Sequence, residues 1–214
     1  PFRADLPNST GKLPWVGIGW YRKTLDLPAA DQGKVIYLDF DGAMSQPKVF
    51  VNGQFAGEWA YGYNSFRIDL TPFVKFGAAN TIAVRLDNLA DSSRWYPGGG
   101  IYRHVWLVKA NPTHIAYNGV FARSENITAE SSDVVITTEI QGPADGVEIS
   151  HSLLDANGKP VTSGGSGANA RLKLKSPTLW CPEKPYLYSL HTSLKKGDVV
   201  LDTVYTPIGI RSAA

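Results

Sequence analysis

No stretch constrains this chain more than residues 91–108, Asp-Ser-Ser-Arg-Trp-Tyr-Pro-Gly-Gly-Gly-Ile-Tyr-Arg-His-Val-Trp-Leu-Val. Its first half excludes regular structure, because Pro97 fixes one φ angle and Gly98, Gly99 and Gly100 offer three positions free to take φ > 0. Its second half alternates. Ile101, Arg103, Val105 and Leu107 fall on one side and Tyr102, His104, Trp106 and Val108 on the other, so a single strand is expected over 101–108. Residues 81–87 make the clearest strand, with Ile82, Val84 and Leu86 inward. A sharp turn between two period-two runs mounts Arg94, Trp95 and Tyr96 on a sheet. A planar cation beside two rings suits a polar, ring-shaped ligand. The structural alternative is that these side chains only pack on neighbouring apolar surface.

Elsewhere in the first half the same period recurs. Residues 1–16 read as loop, and Gly17–Leu27 as a strand ended by Pro28. Val35–Phe40 places Ile36, Leu38 and Phe40 on one face ahead of an Asp41-Gly42 turn. Residues 49–51 and 54–59 flank Asn52-Gly53, a strong hairpin signal that turn geometry explains better than ligand contact. Residues 63–70 alternate, and Asp69, Thr71 and Pro72 then allow at most one helical turn before Gly77.

Ala110-Asn111-Pro112 is a candidate boundary. Beyond it, strand-like runs recur at 115–122, 134–140, 147–154, 159–162, 170–175, 187–194 and 199–205, broken by Gly-Pro, Asp-Gly, Asn-Gly and Lys-Gly turns. Seven short runs of this kind are what an immunoglobulin-like sandwich requires.

Charge and cysteine usage remove several function classes. With 21 basic and 19 acidic residues there is no basic footprint for nucleic acid or an anionic membrane. No apolar run approaches the ~20 residues that span a bilayer. The single cysteine, Cys181, cannot close an intrachain disulfide. His104, His114, His151 and His191 are scattered without ligand spacing, so neither a metal nor another cofactor is expected. Gly98–Gly100 precedes a strand rather than a helix, which argues against a nucleotide. The compartment stays unknown, with a bacterial periplasmic or secreted parent protein the expectation.

Five segments, in order, resemble the family 2 glycoside hydrolases, the β-galactosidase, β-glucuronidase and β-mannosidase group. They are Gly-Ile-Gly-Trp-Tyr-Arg-Lys from Gly17, with Leu25 where Phe is commoner; Asp41-Gly42 through Val49-Phe50-Val51-Asn52-Gly53 to Gly57; and Ser-Arg-Trp-Tyr to Ile-Tyr-Arg from Ser93 to Arg103. Leu179-Trp180-Cys181-Pro182-Glu183 with Leu187-Tyr188 and a closing Ile208-Gly209-Ile210-Arg211 follow. The resemblance implies an all-β chain. A jelly-roll, galactose-binding-like sandwich over residues 1–111, short of the strands that family members carry before the Gly-Trp-Tyr-Arg entry, precedes an immunoglobulin-like sandwich over 112–214. Trp180 is expected in the core of the second.

The family's retaining mechanism uses two glutamates about 5 Å apart on a (β/α)₈ barrel, and nothing in this chain reads as that barrel. Asp5, Glu58, Asp87, Asp91, Glu125, Glu130, Glu139, Glu148 and Glu183 are expected on solvated faces. The resemblance therefore implies a non-catalytic portion of an O-glycosyl hydrolase, with a carbohydrate substrate and the barrel of the same polypeptide as partners. In several members the residue six before the Gly of Gly-Ile-(Tyr/Phe/His)-Arg reaches the active-site mouth. Here that position is Arg94, where the best-known galactosidases and glucuronidases carry Asp. Arg94 is expected to pair with sugar hydroxyls or a uronic carboxylate, and Trp95 or Tyr96 to border the sugar face. A free-standing carbohydrate-binding module and a purely structural sandwich pair, buttressing a barrel or a homo-oligomer interface, remain as alternatives.

Overall fold

The computed structural model describes residues 17–89 and 99–212. Its strands fall into two units, Pro1–Ala110 and Asn111–Ala214. The first contains β1 (Gly17–Leu27), β2 (Val35–Phe40), β3 (Ala43–Met44), β4 (Lys48–Val51), β5 (Gln54–Glu58), β6 (Phe66–Asp69), β7 (Ala78–Asn88), β8 (Gly100–Ile101) and β9 (Val105–Ala110). They form sheets ordered β1-β7-β4-β5 and β6-β2-β9, with β3 and β8 as a short pair. All of these neighbours are antiparallel. Ile36, Leu38 and Phe40 of β2 and Phe66 and Ile68 of β6 share one core with Val49 and Val51 of β4 and Ile82, Val84 and Leu86 of β7. Alternation thus gives each sheet one apolar face, and the two faces close on each other as a jelly-roll sandwich.

The strand expected over 101–108 is interrupted at Tyr102–His104. Ile101 pairs with Ala43 while Val105 pairs with Phe40, so four steps on one segment match three on the other. The Asp41 N–H donates to the His104 carbonyl across the break (3.0 Å). This extra residue lets Ile101 and Val105 both turn inward although their partners lie an odd number of residues apart.

Asn52 (φ 50°) and Gly53 (φ 82°) make the two-residue hairpin between β4 and β5. The Asn52 side chain also donates to the Phe73 carbonyl (2.9 Å) and to Asn80 Oδ1 (2.9 Å), and accepts from the Thr81 N–H (3.0 Å). Asn80 is 0% exposed. Its Oδ1 also accepts from the Lys75 N–H (2.7 Å), and its Nδ2 donates to the carbonyls of Lys75 (2.8 Å) and Ala78 (3.1 Å). One amide therefore ties the hairpin, the turn after β6 and the start of β7, which begins three residues ahead of the expected Thr81.

The second unit has seven described strands, β10 (His114–Glu125), β11 (Ser131–Gln141), β12 (Glu148–Leu154), β13 (Pro160–Ser166), β14 (Asn169–Lys175), β15 (Tyr188–Lys196) and β16 (Val199–Ile208). Sheets β10-β11-β14 and β13-β12-β15-β16 enclose Val134, Ile136, Leu153, Leu172, Leu190 and Ile210, which makes the immunoglobulin-like sandwich. Trp180 is not in that core. It is half-buried, flat against Gly209 and with the Arg211 guanidinium 4.7 Å from its ring, because its N–H donates to the Ile210 carbonyl (2.9 Å) at the rim.

Between the sheets lies His151, 3% exposed. Nε2 faces the Gly167 carbonyl (3.0 Å) and must carry the proton, so Nδ1 accepts from the Thr192 hydroxyl (3.0 Å). Burial pushes this imidazole below its ordinary value of 6.5, and the Gly167 bond opposes that only partly.

Two expectations follow for stability. Asn80→Ala strands the Asn52 amide, one backbone N–H and two carbonyls, and should cost about 2–4 kcal/mol in urea unfolding followed by tryptophan fluorescence; a cost under about 0.5 kcal/mol would show that the amide braces nothing. Because folding depresses the His151 pKa, its contribution is present above the unfolded value and is lost as pH falls from 6.5 through the lower folded value. The unfolding midpoint of the unmodified chain should therefore drop more steeply between pH 7.5 and 5 than that of His151→Gln, and parallel curves would refute this.

Candidate functional site

Residues Arg94, Trp95 and Tyr96 lie outside the described residues, as do Asp91 and Pro97. What is described is the frame on either side of them. The last turn of β7 is fastened twice to the link between β3 and β4: the Asp87 N–H donates to the Ser45 carbonyl (2.9 Å), and the Ser45 hydroxyl donates to the Asp87 carbonyl. Asp87 also accepts from Arg85 (2.9 Å). On the return side, the Ile101 N–H donates to the Tyr21 hydroxyl (3.3 Å), and β8 pairs with β3. A Cβ on Gly99 would sit 3.1 Å from Asn88 Cγ, so the chain leaves and re-enters the sheet at one place.

Tyr102 fixes that re-entry further. Its hydroxyl donates to the Gly62 carbonyl (2.8 Å), and its ring passes over Gly42 so closely that a Cβ there would lie 2.6 Å from the phenol. The Asp41-Gly42 bend is thus glycine for lack of space, a reason additional to its turn chemistry. Trp106 Nε1 donates to Asp41 Oδ2 (3.0 Å), holding the indole on the outer face of β9.

Two depressions adjoin this frame. The first, of about 390 Å³, runs between β1 and β9 over inward-facing Tyr21, Leu25, Phe40, Val84, Ile101 and Leu107. The second, of about 540 Å³, lies beside the β4–β5 hairpin and is lined by Gln46, Lys48, Glu58, Trp59, Ala60 and Tyr61. Trp59 is held there by its N–H, which donates to the Pro47 carbonyl (3.1 Å), and by Nε1, which donates to Asn64 Oδ1 (3.0 Å). Its ring is stacked on Phe66 at 5.8 Å and 7°, and Phe66 in turn on Phe40 at 4.6 Å and 6°. Neither Trp59 nor Tyr61 stands out when residues 54–59 are read only as a returning strand. The available signal is Trp59-Ala60-Tyr61-Gly62-Tyr63, three rings alternating with small residues between a hairpin and the next strand.

Among the described residues the carboxylates that make ion pairs are held by cations rather than set up as an acid–base pair. In the first unit Glu58 pairs with Lys48 (3.3 Å) and Asp39 with Arg67 (2.7 Å). In the second, hydrogen bonds from Arg123 and then Arg171 hold Glu125 below its ordinary pKa. A general acid for glycoside hydrolysis needs the opposite shift. Among the described residues no group of three His, Cys, Asp or Glu could hold a metal ion, and no helix is long and apolar enough to cross a membrane.

Comparison with known proteins adds the following. The family model described as "Glycosyl hydrolases family 2, sugar binding domain" matches residues 6–112, and that described as "Glycosyl hydrolases family 2" matches residues 113–211. A β-galactosidase of Bacteroides ovatus is 37% identical over 99% of this chain, which covers 27% of that protein. A β-glucuronidase of Formosa agariphila is 31% identical over 92% of the chain and 24% of its own length. A crystal structure of a glycosyl hydrolase family 2 member from Bacteroides cellulosilyticus superposes with a TM-score of 0.89 at 33% identity, over all of this chain and 29% of that one. The chain thus spans about a quarter of the length of the curated relatives it matches.

Proposed function

This chain belongs to glycosyl hydrolases family 2, and from that premise we propose that it is the non-catalytic N-terminal portion of a retaining, β-galactosidase-like O-glycosyl hydrolase. Residues 1–111 serve as its sugar-binding sandwich and residues 112–214 as the immunoglobulin-like sandwich that supports a barrel elsewhere in the polypeptide. The observation that carries this reading is the succession of the two family models over nearly the whole chain.

Within that enzyme, Arg94 is the residue that donates paired hydrogen bonds to sugar hydroxyls or a uronic carboxylate, and Trp95 and Tyr96 border the sugar face. The described frame supports this role. Both ends of the loop are fastened, by Ser45 and Asp87 on one side and by Tyr21, Tyr102 and Gly62 on the other. The contribution of Arg94 is to recognition, with proton transfer left to the barrel.

Arg94→Ala in the full-length polypeptide should lower kcat/KM on β-galactosides or β-glucuronides by about 10- to 150-fold, the loss of roughly 1.5–3 kcal/mol for one charged hydrogen-bonding group. Unchanged kcat/KM would remove the role.

A further inference from the structure

Phe40, Phe66 and Trp59 form a run of nearly parallel rings, 6° and then 7° apart, that starts in the closed core and ends at the surface. Phe40 is 0% and Phe66 2% exposed, whereas Trp59 is 39% exposed. Phe40 and Phe66 are direct partners across β2 and β6, and β6 is the edge of its sheet. The indole is therefore the outermost plate of a stack anchored inside the sandwich. The stack on Phe66 and the bond from Nε1 to Asn64 set its orientation, and the ring lines the cleft. Tyr61, 59% exposed, lines the same cleft.

An immobilised aromatic face beside hydrogen-bonding side chains is complementary to a pyranose, which has apolar C–H faces and a rim of hydroxyls. The cleft supplies both parts. Gln46 brings an amide, and Lys48 and Glu58 bring an ammonium and a carboxylate that neutralise each other (3.3 Å). A paired cation and anion offer donors and acceptors without a net charge, which favours a neutral ligand over a phosphate or a polyuronate. At about 540 Å³ the cleft is within the range of small-molecule sites, roughly 300–1,000 Å³.

We propose that the Trp59–Tyr61 cleft is a second carbohydrate site, which holds neutral β-linked oligosaccharide on the indole face, with Lys48, Glu58 and Gln46 bonding its hydroxyls. It rests on the carbohydrate reading above and is carried by side chains other than those of the recognition loop. The Tyr102–Gly62 bond places the turn carrying these rings against the return of the 89–99 connection, so the cleft adjoins the frame of the proposed recognition loop. It serves to retain a glycan chain rather than to position the bond that is cut.

The test is calorimetric titration of the 214-residue chain with cellotetraose and β-1,4-galactotetraose, and with tetragalacturonate as the charged comparison. One or both neutral tetrasaccharides should bind with Kd in the micromolar to low millimolar range and more tightly than tetragalacturonate. Trp59→Ala and Tyr61→Ala should each weaken that binding about tenfold or more, Trp59→Phe less, and Phe121→Ala, an exposed ring of the other unit, not at all. If Trp59→Ala lowers the unfolding midpoint, Tyr61→Ala, which is outside the stack, decides. Absence of binding by the unmodified chain, preference for the polyuronate, or binding unaltered in both ring variants overturns the proposal. The readout is binding by this chain, whereas the Arg94 test reads turnover by the full-length polypeptide, so either can fail alone.

Discussion

The buried amide of Asn80 is the interaction on which the first unit depends. A β-sandwich needs its two sheets at a fixed spacing, but the segments joining them carry backbone groups that no ladder satisfies. Asn80 meets the N–H and carbonyl of Lys75 and the carbonyl of Ala78, and through Asn52 it reaches Phe73 and Thr81. Hydrophobic burial drives the sheets together and sets which face of each strand turns inward, but a slip of two residues would keep that pattern. The amide adds the finer constraint, because a slip along the strand would separate a fully buried side chain from these partners.

That fixed register is what allows polar and aromatic side chains to be displayed at the rim. Phe40 and Phe66 stack because they are cross-strand partners on the inward faces of β2 and β6, and Trp59 extends the stack only because the β5–β6 connection returns over the sheet edge. The Tyr102 hydroxyl reaches Gly62 because one extra residue at 102–104 turns it away from the strand plane. Side chains at such rim positions can change while the core spacing stays untouched.

Much of this fold was legible in the sequence, because burial on one face imposes a period of two that survives in the residue order. Gly17–Leu27 and Val35–Phe40 stand as expected, and all seven runs of the second half became strands. What was not legible depends on partners distant in sequence. Residues 101–108 alternate cleanly, yet the break at Tyr102–His104 is decided by the three-residue spacing of Phe40 and Ala43 opposite. Asn80 carries no signal of its own in the sequence, and its role emerges only where the hairpin, the turn after β6 and the start of β7 converge on it. Trp180, in a segment that resembles the family's, is expected in the core, but its backbone bond to Ile210 keeps the ring half-buried beside Arg211. For the candidate site the motif nominates Arg94, Trp95 and Tyr96, which lie outside the described residues, and it passes over Trp59, whose stacking geometry a linear pattern does not encode.

The two aromatic settings differ in a way that bears on how a glycan would be handled. Side chains carried on a connection between fastened strands can be exchanged without disturbing a sandwich core. Trp59 gains its power from the core itself, through Phe66 and Phe40, and exchanging it would disturb a stack on which the β2–β6 edge also rests. Discrimination between closely similar glycones belongs to the first kind of site, where a single hydrogen-bonding group reads one substituent. Retention of a chain irrespective of its terminal sugar belongs to the second, because a ring face contacts the C–H surface common to most β-linked pyranoses. A polypeptide holding both separates which sugar is cleaved from how long the polymer stays bound, and it can change the former while the latter remains fixed by its core.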